Sequence, residues 1–138
     1  MTERALEIQI AEDSAAIQEL LVAHLEAIPG VRVTGVSRSA GEALERLRQS
    51  PPGLLVLDLQ LDGSSAFDIL KDLPPAPRRP VAVVLTNHGG AETRAACTAA
   101  GADYFFDKSA EFSRFLDAIR RLAAGMAEPV LPADSYKM

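Results

Sequence analysis

At 138 residues, 48% hydrophobic and 24% charged, the chain suits one globular domain that can bury a core without disulfides or structural metal. A net charge of −5 argues against a nucleic-acid surface, which needs clustered Lys and Arg, and the single Cys97 excludes an internal disulfide. No apolar run approaches the roughly 18 residues of a membrane span, and Met1-Thr2-Glu3-Arg4 leads into a strand-like segment with no apolar leader; a cytoplasmic protein with neither membrane nor nucleic-acid partners is expected.

Strand-like and helix-like segments alternate five times. Ala5 to Ala11 alternates weakly, reads as a first strand, and ends at Glu12-Asp13. Ser14 has the chemistry of an N-cap, and Ile17, Leu20, Leu21, Leu25 and Ile28 recur at helical spacing until Pro29-Gly30. His24 falls on or beside that stripe; with no second His or Cys nearby it reads as a helix residue rather than a metal ligand. Val31 to Val36 is a β-branched second strand suited to a sheet edge. Ser39-Ala40-Gly41-Glu42 has the form of a capping box opening a helix that Pro51-Pro52-Gly53 breaks.

Leu54-Leu55-Val56-Leu57 is an unbroken apolar run between turn residues, which reads as a strand covered on both faces, and Asp58 stands where it runs out. Ser64 or Ser65 can cap a short helix bearing Phe67, Ile69 and Leu70, which Pro74-Pro75 ends. Val81 to Leu85 is a fourth strand delivering Thr86, followed by the loop Asn87-His88-Gly89-Gly90. The next helix, about Ala91 to Ala100, carries mainly small residues and is expected to be the least firmly held. Asp103-Tyr104-Phe105-Phe106 is a fifth strand leading to Asp107-Lys108, after which Ser109 is expected to cap a helix with Phe112, Phe115, Leu116, Ile119 and Leu122 on one side. Past Gly125 the sequence loses periodicity and reads as a tail. Arg78-Arg79 and Arg120-Arg121 read as solvated pairs.

Alternating β-α units imply a doubly wound parallel sheet with helices on both faces. Every strand but the second ends on a chemically capable residue: Glu12 and Asp13, Asp58, Thr86, Lys108. A parallel sheet brings such ends to one edge, where ligands bind in open α/β folds. Three carboxylates meeting there need a proton or a hard divalent cation, and Mg2+ suits oxygen ligands while leaving room for a phosphoryl oxygen. Asp58 is then the best nucleophile, since a carboxylate needs no base to attack phosphorus. Lys108 can offset charge on the transferred group, and Thr86 can donate a hydrogen bond to it.

These residues give the chain a close resemblance to the receiver domain of two-component response regulators, the flavodoxin-like (CheY-like) fold. The resemblance covers about residues 5 to 124 and rests on Glu12-Asp13, Asp58 with Gly63 beyond it, Thr86, and Lys108 preceded by Gly101-Ala102 and Phe105. It implies a five-stranded sheet of order 2-1-3-4-5, a receiver domain over 1–124, and a tail over 125–138 with no separate effector domain. It makes Asp58 the phosphoacceptor, Asp13 and Asp58 direct Mg2+ ligands, Glu12 a ligand through water, and the Gln60 backbone carbonyl a further ligand. Thr86 and Phe105 would be the switch pair, Lys108 the ion-pair partner of the phosphoryl group, and Gln60 and His88 the positions that tune hydrolysis.

The implied donor is a histidine kinase or phosphotransfer protein. The implied output is an unidentified target, or a second copy forming a homodimer, bound through the fourth helix, fifth strand and fifth helix. Such a protein catalyses only its own phosphorylation and dephosphorylation. Three departures from the family pattern stand out: Glu12 replaces a common Asp, Ser109 replaces the proline that usually follows the Lys in a cis peptide, and Phe105 replaces a frequent Tyr or His.

Other readings remain open at this point. Asp58 could begin a turn, Thr86 could cap a loop, and Phe105 could be core filler. A haloacid-dehalogenase-type phosphatase needs a second carboxylate two residues after its nucleophile, where Gln60 stands. A flavin or nucleotide carrier needs a Gly-rich loop where Glu12-Asp13-Ser14 would repel phosphate. A phosphorylation-independent interaction module would behave most like the favoured reading.

Overall fold

The computed structural model describes residues 5–87 and 89–125; the readings of His88 and of the tail beyond Gly125 lie outside them. Among these described residues, seven strands and five helices follow in the order β1 (Leu6–Ala11), α1 (Ala15–Glu26), β2 (Val31–Ser37), α2 (Ala40–Gln49), β3 (Leu54–Leu57), β4 (Gln60–Leu61), β5 (Ser64–Ser65), α3 (Ala66–Leu70), β6 (Val81–Thr86), α4 (Ala91–Ala99), β7 (Tyr104–Asp107) and α5 (Phe112–Ala123).

Five of the strands form one parallel sheet of order β2-β1-β3-β6-β7, the expected doubly wound pattern. Its middle strand, β3, is buried along its whole length, as its unbroken Leu and Val composition requires when helices cover both faces. Side chains alternate between two cores. On one side, Leu55, Leu57, Val84 and Phe105 meet Leu47 of α2, Ile69 of α3 and Cys97 of α4. On the other, Ile8, Ile10, Val56, Leu85 and Phe106 meet Leu21 and Leu25 of α1 and Phe115 and Ile119 of α5.

Local chemistry sets the helix boundaries. Ser14 accepts from the Ile17 N–H and Ser39 from the Glu42 N–H, as their cap positions predict. The Glu42 carboxylate, however, takes the Arg38 N–H at 2.7 Å, one residue beyond the expected reciprocal bond. The reciprocal box forms at α3, where Ser65 accepts from Phe67 and Asp68 accepts from the Ser65 N–H at 3.0 Å.

Two expectations fail. Ser109 does not cap α5, which starts at Phe112 with Glu111 at the N-cap; the Ser109 hydroxyl instead donates to Asp107 at 3.0 Å. Arg79 is not simply solvated: it bonds the Asp103 carboxylate at 2.9 Å and the Gly101 carbonyl, tying the start of β6 to the approach of β7. Asp103 in turn accepts the Ala82 N–H at 2.8 Å.

Candidate functional site

The carboxyl edge of the sheet collects the chemistry that the sequence spreads over the chain. Glu12 follows β1, its N–H held by the Ser37 carbonyl at 2.9 Å, and Asp58 follows β3, its N–H held by the Ala11 carbonyl at 2.9 Å. Each strand therefore hands its terminal acid to a neighbour by a ladder-like bond. Carboxylate oxygens of Glu12, Asp13 and Asp58 lie within 4.8 Å of one another, a donor set of hard oxygens suited to a small divalent cation.

Lys108, just past β7, reaches this cluster. Its Nζ donates to Glu12 Oε1 at 2.9 Å and to Asp58 Oδ2 at 3.2 Å. The three side chains are only 12%, 3% and 13% exposed, which makes the bonds largely shielded from water. Burial pushes the Glu12 carboxyl above its ordinary range, opposed in part by Lys108 and the Ser14 N–H and reinforced by the nearby Asp58 charge. Burial alone would lower the Lys108 amine, but the Glu12 and Asp58 carboxylates outweigh it and hold the amine above its usual value.

Thr86 ends β6, buried, two residues past the last pairing of β6 with β3 and opposite Asp107 of β7. Its carbonyl accepts the Lys108 N–H at 2.9 Å, which ties the ends of β6 and β7 together. Val84, Thr86, Phe105 and Asp107 share one face by strand alternation. Phe105 is 6% exposed and already lies inward, with the Arg94 guanidinium 4.7 Å from its ring centroid. Gln60 is exposed at the start of β4, which with β5 (Ser64–Ser65) forms a short antiparallel hairpin that the sequence did not announce. His24 is exposed and sits edge-on to Phe112 at 5.2 Å, lining with it and Lys108 a pocket between α1 and the start of α5.

A network around the Lys108 loop escaped the sequence reading. Arg94 Nη2 donates to Glu111 Oε1 at 3.0 Å and its Nη1 to the Phe105 carbonyl at 3.0 Å. The same Glu111 oxygen accepts the Asp107 N–H at 2.8 Å. Its long-range members leave no local pattern, although Asp107 two residues before Ser109 is a recognisable side-chain turn signal.

A family model described as "Response regulator receiver domain" matches residues 8–120. The protein-glutamate methylesterase/protein-glutamine glutaminase of Desulfotalea psychrophila is 29% identical over 102 residues, covering 72% of this chain and 28% of that protein. Its counterpart 1 from Methanospirillum hungatei JF-1 is 31% identical over 106 residues, covering 75% and 31%. The chain thus spans about a third of the length of these curated relatives. Among solved structures, a LuxR-family two-component response regulator from Aurantimonas sp. SI85-9A1 superposes with a TM-score of 0.80 at 23% identity, covering 95% of this chain and 94% of that one. The response regulator domain of Thermotoga maritima CheB does so at 0.72 and 20%, covering 91% and 100%. Both likenesses show the same fold.

Proposed function

The chain belongs to the response regulator receiver family, and on that premise we propose that Asp58 accepts a phosphoryl group from a histidine kinase or phosphotransfer protein. The supporting observation is the Lys108 amine bonded to both Glu12 and Asp58, from 96 and 50 positions away in the sequence. In the transfer, an Asp58 carboxylate oxygen attacks phosphorus. The P–N bond to the donor imidazole breaks, and its electron pair stays on the departing nitrogen. Lys108, which holds its proton firmly, turns from the carboxylates toward the new phosphoryl oxygens.

The residues fit Mg2+, which Glu12, Asp13 and Asp58, with the Gln60 carbonyl, would hold and which would draw charge off the transferred group. Thr86 would supply a hydroxyl to the phosphoryl group and Gln60 and His88 would tune its hydrolysis. No turnover of an outside substrate is proposed for these residues.

The output face in this reading is α4–β7–α5, bound by a target or a second copy. Its support is that α4 buries only Cys97 and has no side-chain cap, while Arg94 ties it to the Phe105 carbonyl and to Glu111, so a change at Phe105 is passed directly to α4. Phe105, inward beneath Arg94, would read the state of Thr86 through packing alone.

The test is incubation with Mg2+ and acetyl phosphate followed by intact-mass measurement. An added phosphoryl mass that Asp58→Asn abolishes is expected. No added mass on the wild-type protein, or an equal mass on the variant, overturns the reading.

A further inference from the structure

We propose that Asp107 is the positioning residue for Lys108: its carboxylate fixes the path of the β7–α5 loop and so aims the amine at Glu12 and Asp58. The proposal rests on the phosphoacceptor reading only for its consequence in transfer; the placement of the amine stands apart from it.

The receiver pattern places a cis proline after this lysine, and here Ser109 follows it through a trans peptide, since among the described residues only Ala76–Pro77 is cis. Something else must hold the loop. Asp107 Oδ1 accepts three bonds at once, from the Ser109 N–H at 2.9 Å, the Ser109 hydroxyl at 3.0 Å and the Ala110 N–H at 2.8 Å. Its own N–H goes to Glu111 Oε1 at 2.8 Å, and its carbonyl accepts the Glu111 N–H at 2.9 Å. The residues on both sides of Lys108 are therefore pinned, and Lys108 itself is held by its N–H on Thr86.

These bonds have the geometry of a cap, but on a separate turn at Lys108–Ala110 and not on α5. The N-cap of α5 is Glu111, four residues on, and Asp107 satisfies none of the helix's own first-turn donors. The other carboxylate oxygen is fitted as closely: a Cβ on Gly89 would stand 2.9 Å from Asp107 Oδ2 and 3.5 Å from Phe105 Cε1. Space for the Asp107 carboxylate is thus kept by a glycine in the β6–α4 loop. The Ala110 N–H first, then the Ser109 hydroxyl and N–H, hold the Asp107 carboxyl below its ordinary range, so the acceptor stays ionised at neutral pH.

A lysine has four rotatable side-chain bonds and loses freedom when its amine is fixed, a cost that a pre-set backbone lowers. Freeing the loop has two consequences of opposite sign. The amine leaves the transfer site, which slows phosphoryl acceptance. It also leaves the carboxylates, which opens them to a divalent cation.

Three variants separate these effects from general damage: Asp107→Ala removes the acceptor, Asp107→Glu carries it one methylene further out, and Asp107→Asn keeps an oxygen in place. Phosphorylation by acetyl phosphate at saturating Mg2+, Mg2+ affinity by calorimetry, and the Lys108 side-chain NMR signal are measured on each full chain. Asp107→Ala and Asp107→Glu should slow phosphorylation by about 10- to 100-fold, the range for partners that orient a site's ligands. They should bind Mg2+ at least as tightly as wild type, and shift the Lys108 signal to that of a solvated lysine. Asp107→Asn should restore most of the rate.

An unshifted Lys108 signal in the folded impaired variants, a parallel loss of Mg2+ affinity, or an Asn variant as slow as the Ala variant overturns the proposal. Should Asp107→Ala not fold, Asp107→Glu decides. If wild type takes up no phosphoryl group, the proposed function fails while the Lys108 signal and the Mg2+ affinities still decide the role of Asp107.

Discussion

Replacing Lys108 by Met keeps most of the side-chain stem and removes the one cation that, among the described residues, is bonded to Glu12 and Asp58. The carboxylates of Glu12, Asp13 and Asp58, within 4.8 Å of one another, then face each other directly. Two unit charges at that separation repel by about 3.5 kcal/mol at an effective dielectric near 20. Proton uptake sets a ceiling of similar size: protonating a carboxyl of ordinary pKa ~4.3 at pH 7 costs about 3.7 kcal/mol. Glu12, already raised by burial, does so at less.

The metal-free variant should therefore lose about 2–3 kcal/mol of folding stability at pH 7, below the range for fully buried broken pairs. At pH 5 the proton ceiling drops to about 1 kcal/mol, so most of the loss should vanish. Because the Lys108 amine is raised, its stabilisation is fully present below the ordinary lysine pKa and fades only as pH climbs through the higher folded value. Neutral pH thus reports it whole. Urea unfolding followed by circular dichroism, at both pH values and with and without Mg2+, measures all of this. Mg2+ should stabilise the variant more than wild type, since no amine has to be displaced. An equal loss at pH 7 and pH 5, or the same Mg2+ increment in both proteins, would refute the reasoning.

Two further outcomes follow from the same structure. Phe115 is fully buried against Phe106 and Phe112; Phe115→Ala should cost about 3–5 kcal/mol in urea unfolding, against less than about 0.5 for a surface change such as Glu19→Gln. With the Glu12 carboxyl raised by burial, its folded-state proton is held more tightly than in the unfolded chain, and its contribution to stability declines as pH rises through the folded value. Mg2+ affinity by calorimetry should run the other way, strengthening as pH rises through a range above the ordinary glutamate value, and Glu12→Gln should remove that part of the dependence.

The sheet was legible because each strand declares itself locally. Leu54 to Leu57 and Val81 to Leu85 are apolar without interruption, and the residues between them carry helix periodicity and breakers. That Lys108 and Asp58 share one edge followed from the parallel sheet, which gathers its strands' polar ends; their pairing was implied only by the resemblance to receiver domains, since β6 lies between β3 and β7. What escaped was set by partners distant in sequence. Arg79 looked solvated because Asp103 and Gly101 lie 24 and 22 positions away. Arg94 gave no sign of Phe105 or Glu111.

Ser109 was read as a cap because its residue type suits one, but its hydroxyl donates to Asp107 and the helix starts three residues on, at Phe112. The β4–β5 hairpin is too short for periodicity to register, with two residues in each strand. Glu12 was seen as one of a pair of edge acids, whereas it is 2% exposed and bonded to Lys108.

The Glu12–Lys108 bond joins residues 96 positions apart. A chain still emerging from the ribosome holds its first acid long before it holds the lysine that neutralises it, and loop closure over so many residues comes late. Until β7 docks, the Lys108 amine cannot reach these acids. The Glu12–Lys108 pairing thus forms only once both β1 and β7 have been laid down, so the assembled pocket spans nearly the whole domain.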